Sequence, residues 1–479
     1  MAGQLLADGL TMVSPENADV VVVNTCAFIG PARTESRETV QSVCAMKREG
    51  RCQAVFVAGC YPQRYRKTLK REFPEVDGFI GLDALDRIGD LIRQWQKGKP
   101  RLTDIPPSSH RLFEPALPGL RFAQGPYAYL KIAEGCHHRC AFCAIPLIRG
   151  DYRSRSLAHL VKEAEALIAT GARELNLISQ DSMAYGRDTV EHDETNPLLP
   201  ALLTELEGIA GDFWIRILYG SVHMIGNTLL NIMRDSAKIC RYLDVPIQHS
   251  HPEILRAMGR SASARDLPGV IARLRASLPG LALRTTCMVG FPGETDTHFR
   301  HLLRFVQEMA FDHLGVFVYS PEAGTPAARL PGRVDSILAE DRRDLILAAQ
   351  KKVVARKAKA LMNKTDAILL EQPLSDSPGV WLGRSYRQAP SVDGKVIVDA
   401  VPARARTGDT VHIRYIGRKG YDLVAQYEEC ASAYPSPNAS SKTRSDLGKS
   451  RFLTKEQASS APNSRSMAAS SHSTDSGPV

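Results

Sequence analysis

The sequence predicts a multidomain α/β protein built from three folded parts. These are an N-terminal open α/β sheet, a parallel partial barrel of six βα units, and a small C-terminal β-barrel. Three observations carry this. Two valine- and alanine-rich runs near the N-terminus alternate with helical spacing. Six strand-like runs, several separated by helical stretches, fill the middle of the chain, and five short strands with turn signals follow. Strands alternating with helices make parallel sheet, and clustered short strands make a closed β module.

At 479 residues the chain has room for about three domains. A hydrophobic content of 43% and a charged content of 24% are those of a globular protein. No run of 18 apolar residues exists, and the N-terminus lacks the basic-then-apolar layout of a secretory signal, so a cytoplasmic location is expected. In that reducing compartment, ten cysteines point to metal ligation rather than disulfides. Net charge is +9, of which residues 431–479, with six Lys/Arg against three Asp/Glu, supply +3. The remaining +6 is mild for a nucleic-acid binder of this size, though compatible with RNA or ribosome association.

Residues 1–95 form the first part, a Rossmann-like α/β unit. Ala18-Asp-Val-Val-Val-Val-Asn-Thr-Cys26 reads as a buried parallel strand, because four consecutive valines leave no wet face. Residues 31–49 have helical spacing, and Gln53-Ala-Val-Phe-Val-Ala-Gly-Cys60 is a second such strand. Both strands end in a cysteine. Ligands of open α/β sheets sit at strand C-termini, so Cys26 and Cys60 are placed to converge on one site; the alternative is two small core hydrophobes. Cys44 and Cys52 read as core residues.

Residues 96–120, with Pro100, Pro106, Pro107, Pro115 and Pro118, are expected to be a linker. The second part spans 121–352, with strands predicted at 127–133, 174–180, 213–219, 242–248, 282–290 and 313–320. Such barrels gather their active sites at strand C-termini. The first strand ends at Ala133, directly before Glu134-Gly-Cys-His-His-Arg-Cys-Ala-Phe-Cys143. Cys136, Cys140 and Cys143 form a CxxxCxxC pattern, and thiolates this close need a cation to offset their repulsion. A structural zinc site normally takes four protein ligands, and no second cysteine pair follows at zinc-like spacing. Three cysteines on a cubane cluster leave one iron open, as a catalytic cluster requires. The alternatives are unrelated buried thiols, or zinc completed by His137 or His138.

The third part, 353–429, begins with the end of a charged helix over 335–361 and continues as five short strands between Ala367 and Val424. Asp393-Gly394 and Arg406-Thr-Gly-Asp409 are its turns. Residues 362–428 hold nine Lys/Arg and eight Asp/Glu. A module that grips RNA by its phosphates is expected to be more basic. Residues 430–479 are rich in Ser, Ala, Asn and Thr and are expected to be disordered.

The cysteine loop resembles the signature of the radical S-adenosylmethionine (SAM) enzymes. That likeness implies a [4Fe–4S] cluster on Cys136, Cys140 and Cys143, with SAM chelated at the open iron. Asn24-Thr-Cys-Ala-Phe-Ile29 and Ala58-Gly-Cys-Tyr-Pro62 resemble the N-terminal domain of the methylthiotransferases. Members of that family hold a second [4Fe–4S] cluster on three cysteines, of which Cys26 and Cys60 match two. Met1-Ala-Gly-Gln-Leu-Leu-Ala-Asp-Gly-Leu10 resembles the helix after the third, so that cysteine is expected upstream of Met1. The C-terminal module is similar to the TRAM domain, a substrate-docking barrel.

Other strand ends carry the likeness further. Gln180-Asp-Ser-Met-Ala-Tyr-Gly186, Asp244-Val-Pro-Ile-Gln-His-Ser250 and Gly290-Phe-Pro-Gly-Glu-Thr295 resemble the SAM-contacting edge of the family. The resemblance thereby puts Gln180, Gln248, Gly290 and Glu294 near cofactor or substrate, whereas His249 reads equally as a hydrogen-bonded core histidine. Within the methylthiotransferases these motifs are most similar to the branch that modifies an aspartate of ribosomal protein S12. The implied activity is radical insertion of a methylthio group at the aspartate β-carbon, with a flavodoxin- or ferredoxin-type reductant and the small ribosomal subunit as partners. Two alternatives stay open: a tRNA-adenosine methylthiotransferase, and a non-catalytic ribosome-binding protein lacking a cluster ligand.

Overall fold

The computed structural model describes residues 1–99, 101–112, 125–188, 198–261 and 266–429. Met1–Ser441 make one unit; the second, Lys442–Val479, lies outside the described residues, as do the tail expectation and the proposed boundary at residue 121.

The N-terminal part comprises α1 (Ala2–Ala7), β1 (Val20–Thr25), α2 (Gly30–Arg48), β2 (Ala54–Gly59), α3 (Cys60–Tyr65), α4 (Leu69–Glu72), β3 (Gly78–Ile80), α5 (Ile88–Gln96) and β4 (Leu102–Asp104). Its four strands are parallel in the order β1-β2-β3-β4. Every residue of β2 is buried, as a central strand with helices on both faces requires. The valine run of β1 departs from the expectation. β1 lies at the sheet edge, and Val20, Val21 and Val22 are only half-buried, because hydrophobic composition records affinity for the sheet but not position within it. Residues 102–104, proline-flanked and read as linker, instead pair with β3 as a fourth strand.

The barrel follows as β5 (Tyr127–Lys131), β6 (Ala133–Glu134), α6 (Ile145–Arg149), β7 (Arg153–Ser154), α7 (Leu157–Ala169), β8 (Glu174–Ile178), α8 (Leu198–Gly208) and β9 (Trp214–Ile217). It continues through α9 (Asn227–Asp235), β10 (Ile239–Asp244), α10 (Pro252–Ala257), α11 (Leu267–Ser277), β11 (Ala282–Val289), α12 (Asp296–Met309) and β12 (His313–Val318). Six parallel strands run in the order β12-β11-β10-β9-β8-β5, an open barrel, as the strand–helix rhythm predicts. Alternation decides the faces: Leu175, Leu177, Ile215, Ile217, Leu283 and Cys287 pack under the helices in one apolar core. Burying each large aliphatic side chain there contributes about 1.5–3 kcal/mol.

Helix α13 (Ser336–Leu361) leads into β13 (Thr365–Pro373), β14 (Trp381–Arg384), β15 (Val396–Asp399), β16 (Thr410–Lys419) and β17 (Asp422–Tyr427), which close in the order β13-β14-β15-β17-β16. The segment between β14 and β15 plugs the floor of the larger barrel. Tyr386 and Ala389 pack on Trp214, Cys240 and Ala282, at or near the starts of their strands, and on Tyr242 within β10. Asp393 accepts from Tyr242 (2.7 Å). The buried Glu174 accepts from both Arg216 and Arg384, each at 2.6 Å. With its N-terminal end filled, the barrel opens at the strand C-termini. No helix among the described residues is long and apolar enough to cross a membrane.

Candidate active site

Strand β5 runs into the cysteine loop, and backbone hydrogen bonds fix its course. The N–H of Cys136 donates to Gly150 O (3.2 Å) and that of Cys143 to Cys140 O (3.0 Å). Ala141 is held on both sides, donating to Met258 O (2.9 Å) and accepting from Ala327 N (2.8 Å). The result turns Cys136, Cys140 and Cys143 into one cavity of about 370 Å³ at the barrel mouth. Gln180 and Gln248 line the same cavity, with Phe28, His138, Tyr219, Ser221 and Arg260.

The electrostatics of this cavity suit an anionic sulfur cluster. Burial pushes the Cys136 thiol up to about 11 and the Cys143 thiol up to about 12, so without a bound cation both stay protonated. Each thiol nevertheless meets a donor: His138 N to Cys136 Sγ (3.4 Å), Ile145 N to Cys143 Sγ (3.5 Å), and the Arg260 guanidinium to Cys140 Sγ (3.5 Å). Donors aimed at sulfur stabilise thiolate and tune a cluster's potential. Gln180 lines this cavity, and its Oε1 is buried with no hydrogen-bond partner. Three thiols, three donors and an orphaned amide oxygen fit a cluster with a polar ligand beside it.

Zinc completed by a histidine fits less well. His138 Nε2 is 2.5 Å from Asp181 Oδ2 and 2.9 Å from Ser221 Oγ, so this nitrogen is already engaged. Burial works against the charge on Asp181, but hydrogen bonds from His138 and Ser221 outweigh it and hold its carboxyl below the usual range. Among the described residues, one His/Glu group, His251, Glu253 and His298, has ligand atoms close enough together for an ion. There the Nδ1 atoms of His251 and His298 accept backbone N–H bonds at 3.3 and 3.2 Å, which leaves the protons on Nε2. Those rings serve as helix caps, with His298 paired to Glu253.

The four expected cofactor contacts divide. Gln180 and Gln248 reach the cavity; the strand expected over 242–248 ends at Asp244, and Gln248, with a positive φ of 68°, lies beyond it, bonded to Thr286 O and Met288 N of β11. Gly290 and Glu294 are not among the residues lining it. The Glu294 carboxylate accepts from Gly290 N (3.0 Å) and from Arg342 (2.8 Å), fastening the Gly290–Gly293 turn to α13. Burial raises the Glu294 carboxyl, with Gly290 N and Arg342 opposing. Gly290 has φ +74, and a Cβ there would lie 2.7 Å from that of Ala339.

Cys26 and Cys60 lie where the strand pattern put them. β1 and β2 pair Thr25 with Gly59, so the two cysteines follow at the same level of adjacent strands. Cys26 is exposed, and Cys60 is half-buried with its Sγ 3.5 Å from the Arg149 guanidinium. Among the described residues the other cysteines of this domain, Cys44 and Cys52, are in its core. Arg149 also pairs with Glu134 (2.6 Å), which holds Lys131 as well. Burial, then Arg149, pushes the Lys131 amine down to about 7. Two residues that sequence reasoning left out, Arg260 and Asp181, are legible only through partners far along the chain.

Comparison with known proteins agrees with this layout. Residues 130–306 match the radical SAM superfamily, residues 1–81 the uncharacterized protein family UPF0004, and residues 364–427 the TRAM domain. The barrel and its three-cysteine loop thus define a radical SAM enzyme, for which an iron–sulfur cluster and SAM are the cofactors. The chain is 40% identical to the ribosomal protein uS12 methylthiotransferase RimO of Geobacter sulfurreducens, over 89% of this chain and 94% of that one. It is 42% identical to the protein of that name from Syntrophus aciditrophicus over the same shares, and 39% to that of Natranaerobius thermophilus over 86% and 90%. The chain belongs to the ribosomal protein uS12 methylthiotransferase RimO family.

Proposed function

We propose that this chain adds a methylthio group to the β-carbon of an aspartate in ribosomal protein uS12. The observation that supports this most is the convergence of Cys136, Cys140 and Cys143 on one cavity at the barrel mouth, in a member of this family. When bound, a [4Fe–4S] cluster and SAM supply one-electron chemistry, which an unactivated C–H bond requires because no side-chain base can remove its hydrogen at a useful rate.

The chain's own residues hold and shield. The three thiols take three irons, and the amides of His138 and Ile145 with the Arg260 guanidinium spread the charge on sulfur. Gln180 and Gln248 bind the polar groups of SAM, the free Oε1 of Gln180 accepting from a ligand donor. The Asp181–Ser221–His138 bonds orient the loop between the first two cysteines. Phe28 covers the cavity from the N-terminal part and excludes water. Cys26 and Cys60 contribute two ligands of a second [4Fe–4S] cluster, with Arg149 beside Cys60 offsetting its charge. The partners that go with this reading are the small ribosomal subunit and a flavodoxin- or ferredoxin-type reductant, in the cytoplasm. The tRNA-modifying and non-catalytic alternatives are not favoured by the family relationship.

Mass spectrometry of uS12 from cells with and without this gene tests the proposal. The expected result is one aspartate carrying the added mass of a methylthio group only when the gene is present. Unmodified uS12 together with a methylthiolated tRNA adenosine would transfer the chemistry to the tRNA substrate. SAM left intact by reduced, iron-loaded protein would leave only a binding function.

A further inference from the structure

The loop after β12 carries a carboxylate that neither cysteine site needs for ligation. Glu322 is 2% exposed, yet it reaches out of the barrel into the N-terminal part. Its Oε1 accepts from the backbone N–H of Gly30 (3.0 Å) and from Ser320 Oγ (2.9 Å). Its Oε2 accepts from Arg33 and from Arg64 (2.9 Å). Gly30 and Arg33 open α2, the helix after Cys26, and Arg64 lies on α3, the helix that Cys60 begins. Arg64 in turn donates to Ala27 O (2.6 Å) and to Ala323 O (3.0 Å), stitching the Cys26 loop to the same barrel loop.

From this geometry we infer that Glu322 is a positioning residue that sets the Cys26–Cys60 edge over the cavity of Cys136, Cys140 and Cys143, and so couples SAM cleavage to sulfur transfer. One buried carboxylate collects the helices that follow both cysteine-bearing strands, so it governs the separation of the two thiol sets rather than the integrity of either. A buried carboxylate with two guanidinium partners and an amide is a rigid joint, and its loss removes the carboxylate that both arginines share. Phe28, between the two anchored points Ala27 and Gly30, lines the cysteine cavity, so a shift of this edge reaches the cavity directly. The inference rests on the proposed methylthiotransferase reading for its consequence but not for its geometry.

The test compares wild type, Glu322→Gln and Glu322→Ala, anaerobically reconstituted and supplied with SAM, dithionite and uS12. Two readouts are needed: methylthiolated uS12 per 5′-deoxyadenosine released, and backbone hydrogen exchange of residues 26–33 and 60–65. Misplacing reacting groups by about an ångström costs about a hundredfold. Glu322→Ala is therefore expected to release 5′-deoxyadenosine at near wild-type rates while product per cleavage falls about a hundredfold. Exchange should rise in the two segments and stay unchanged in the barrel strands, with Glu322→Gln intermediate. An unchanged ratio, or a parallel loss of cleavage and product, overturns the inference. Should wild type cleave SAM yet never modify uS12, the functional reading fails on its own. Exchange then decides the joint, and unaltered protection of residues 26–33 overturns it.

Discussion

His249 shows how much a single side chain's surroundings decide. It is wholly buried; its Nδ1 accepts from His251 N (2.9 Å), while Nε2 stands 3.8 Å from Glu294 without a hydrogen bond. Burial, aided by the His251, His298 and His301 imidazoles and by Arg342, pushes its pKa down to about 3. Below pH 6.5 the unfolded chain takes up a proton that the folded chain refuses. Stability is therefore full above that pH and falls as pH drops toward 3, by about 2 kcal/mol at pH 5. His249→Gln removes this titration, so thermal unfolding at pH 7 and pH 5 should show a smaller acid loss in the variant; equal losses would acquit His249. The residue illustrates what was legible at this scale. The cysteine trio was readable because its spacing lies within one loop. His249 was not, because apart from His251 its neighbours (Glu294, then His298 and His301 on α12, and Arg342 on α13) lie far along the chain. The pairing of Glu294 with Arg342 was hidden for the same reason: nothing local announces Arg342.

Among elements, the cysteine loop depends on one turn. Gly135 has φ +76, and a Cβ there would lie 2.0 Å from Asp151 O, against the backbone that β6 and β7 bring together. Gly135→Ala combines a left-handed conformation, a strain of about 1–3 kcal/mol, with a backbone clash that cannot be relieved by a side chain moving. Iron loading at the barrel site should fall several-fold, read from iron content and absorbance after reconstitution. Gly98→Ala is the control, since Gly98 has φ +84 with nothing within 4 Å and should load normally. Normal loading by Gly135→Ala would mean that the loop tolerates a different path. The sequence placed this loop correctly because it follows an apolar strand. It misjudged β1 and residues 102–104, since whether a strand lies at an edge or pairs at all is settled by neighbours remote in the chain.

Across the whole molecule, the three-part layout was readable from the strand–helix rhythm, but the joints were not. Glu174 and Arg384 are 210 residues apart and meet at the barrel floor. Burial opposes the charge on Glu174, yet Arg216 and Arg384 outweigh it and hold the carboxyl below its ordinary range. Glu371 takes the other edge of the Arg384 guanidinium at 2.6 Å and also pairs with Lys395, which carries the network into the small barrel. Removing Glu174 leaves the buried Arg216 without a carboxylate while Arg384 keeps Glu371, at a cost of about 3–5 kcal/mol. Glu174→Gln should therefore lower stability by that amount and split one cooperative transition into two, as the small barrel loses its grip on the larger. Differential scanning calorimetry reads both effects. The exposed pair Arg48–Glu75 supplies the contrast: Glu75→Gln should shift stability by less than about 1 kcal/mol. If Glu174→Gln melts in a single transition at the wild-type temperature, the floor is held without Glu174, by the packing of Tyr386 and Ala389 and the Asp393–Tyr242 bond. The small barrel would then be docked by these contacts rather than by the Glu174 ion pairs.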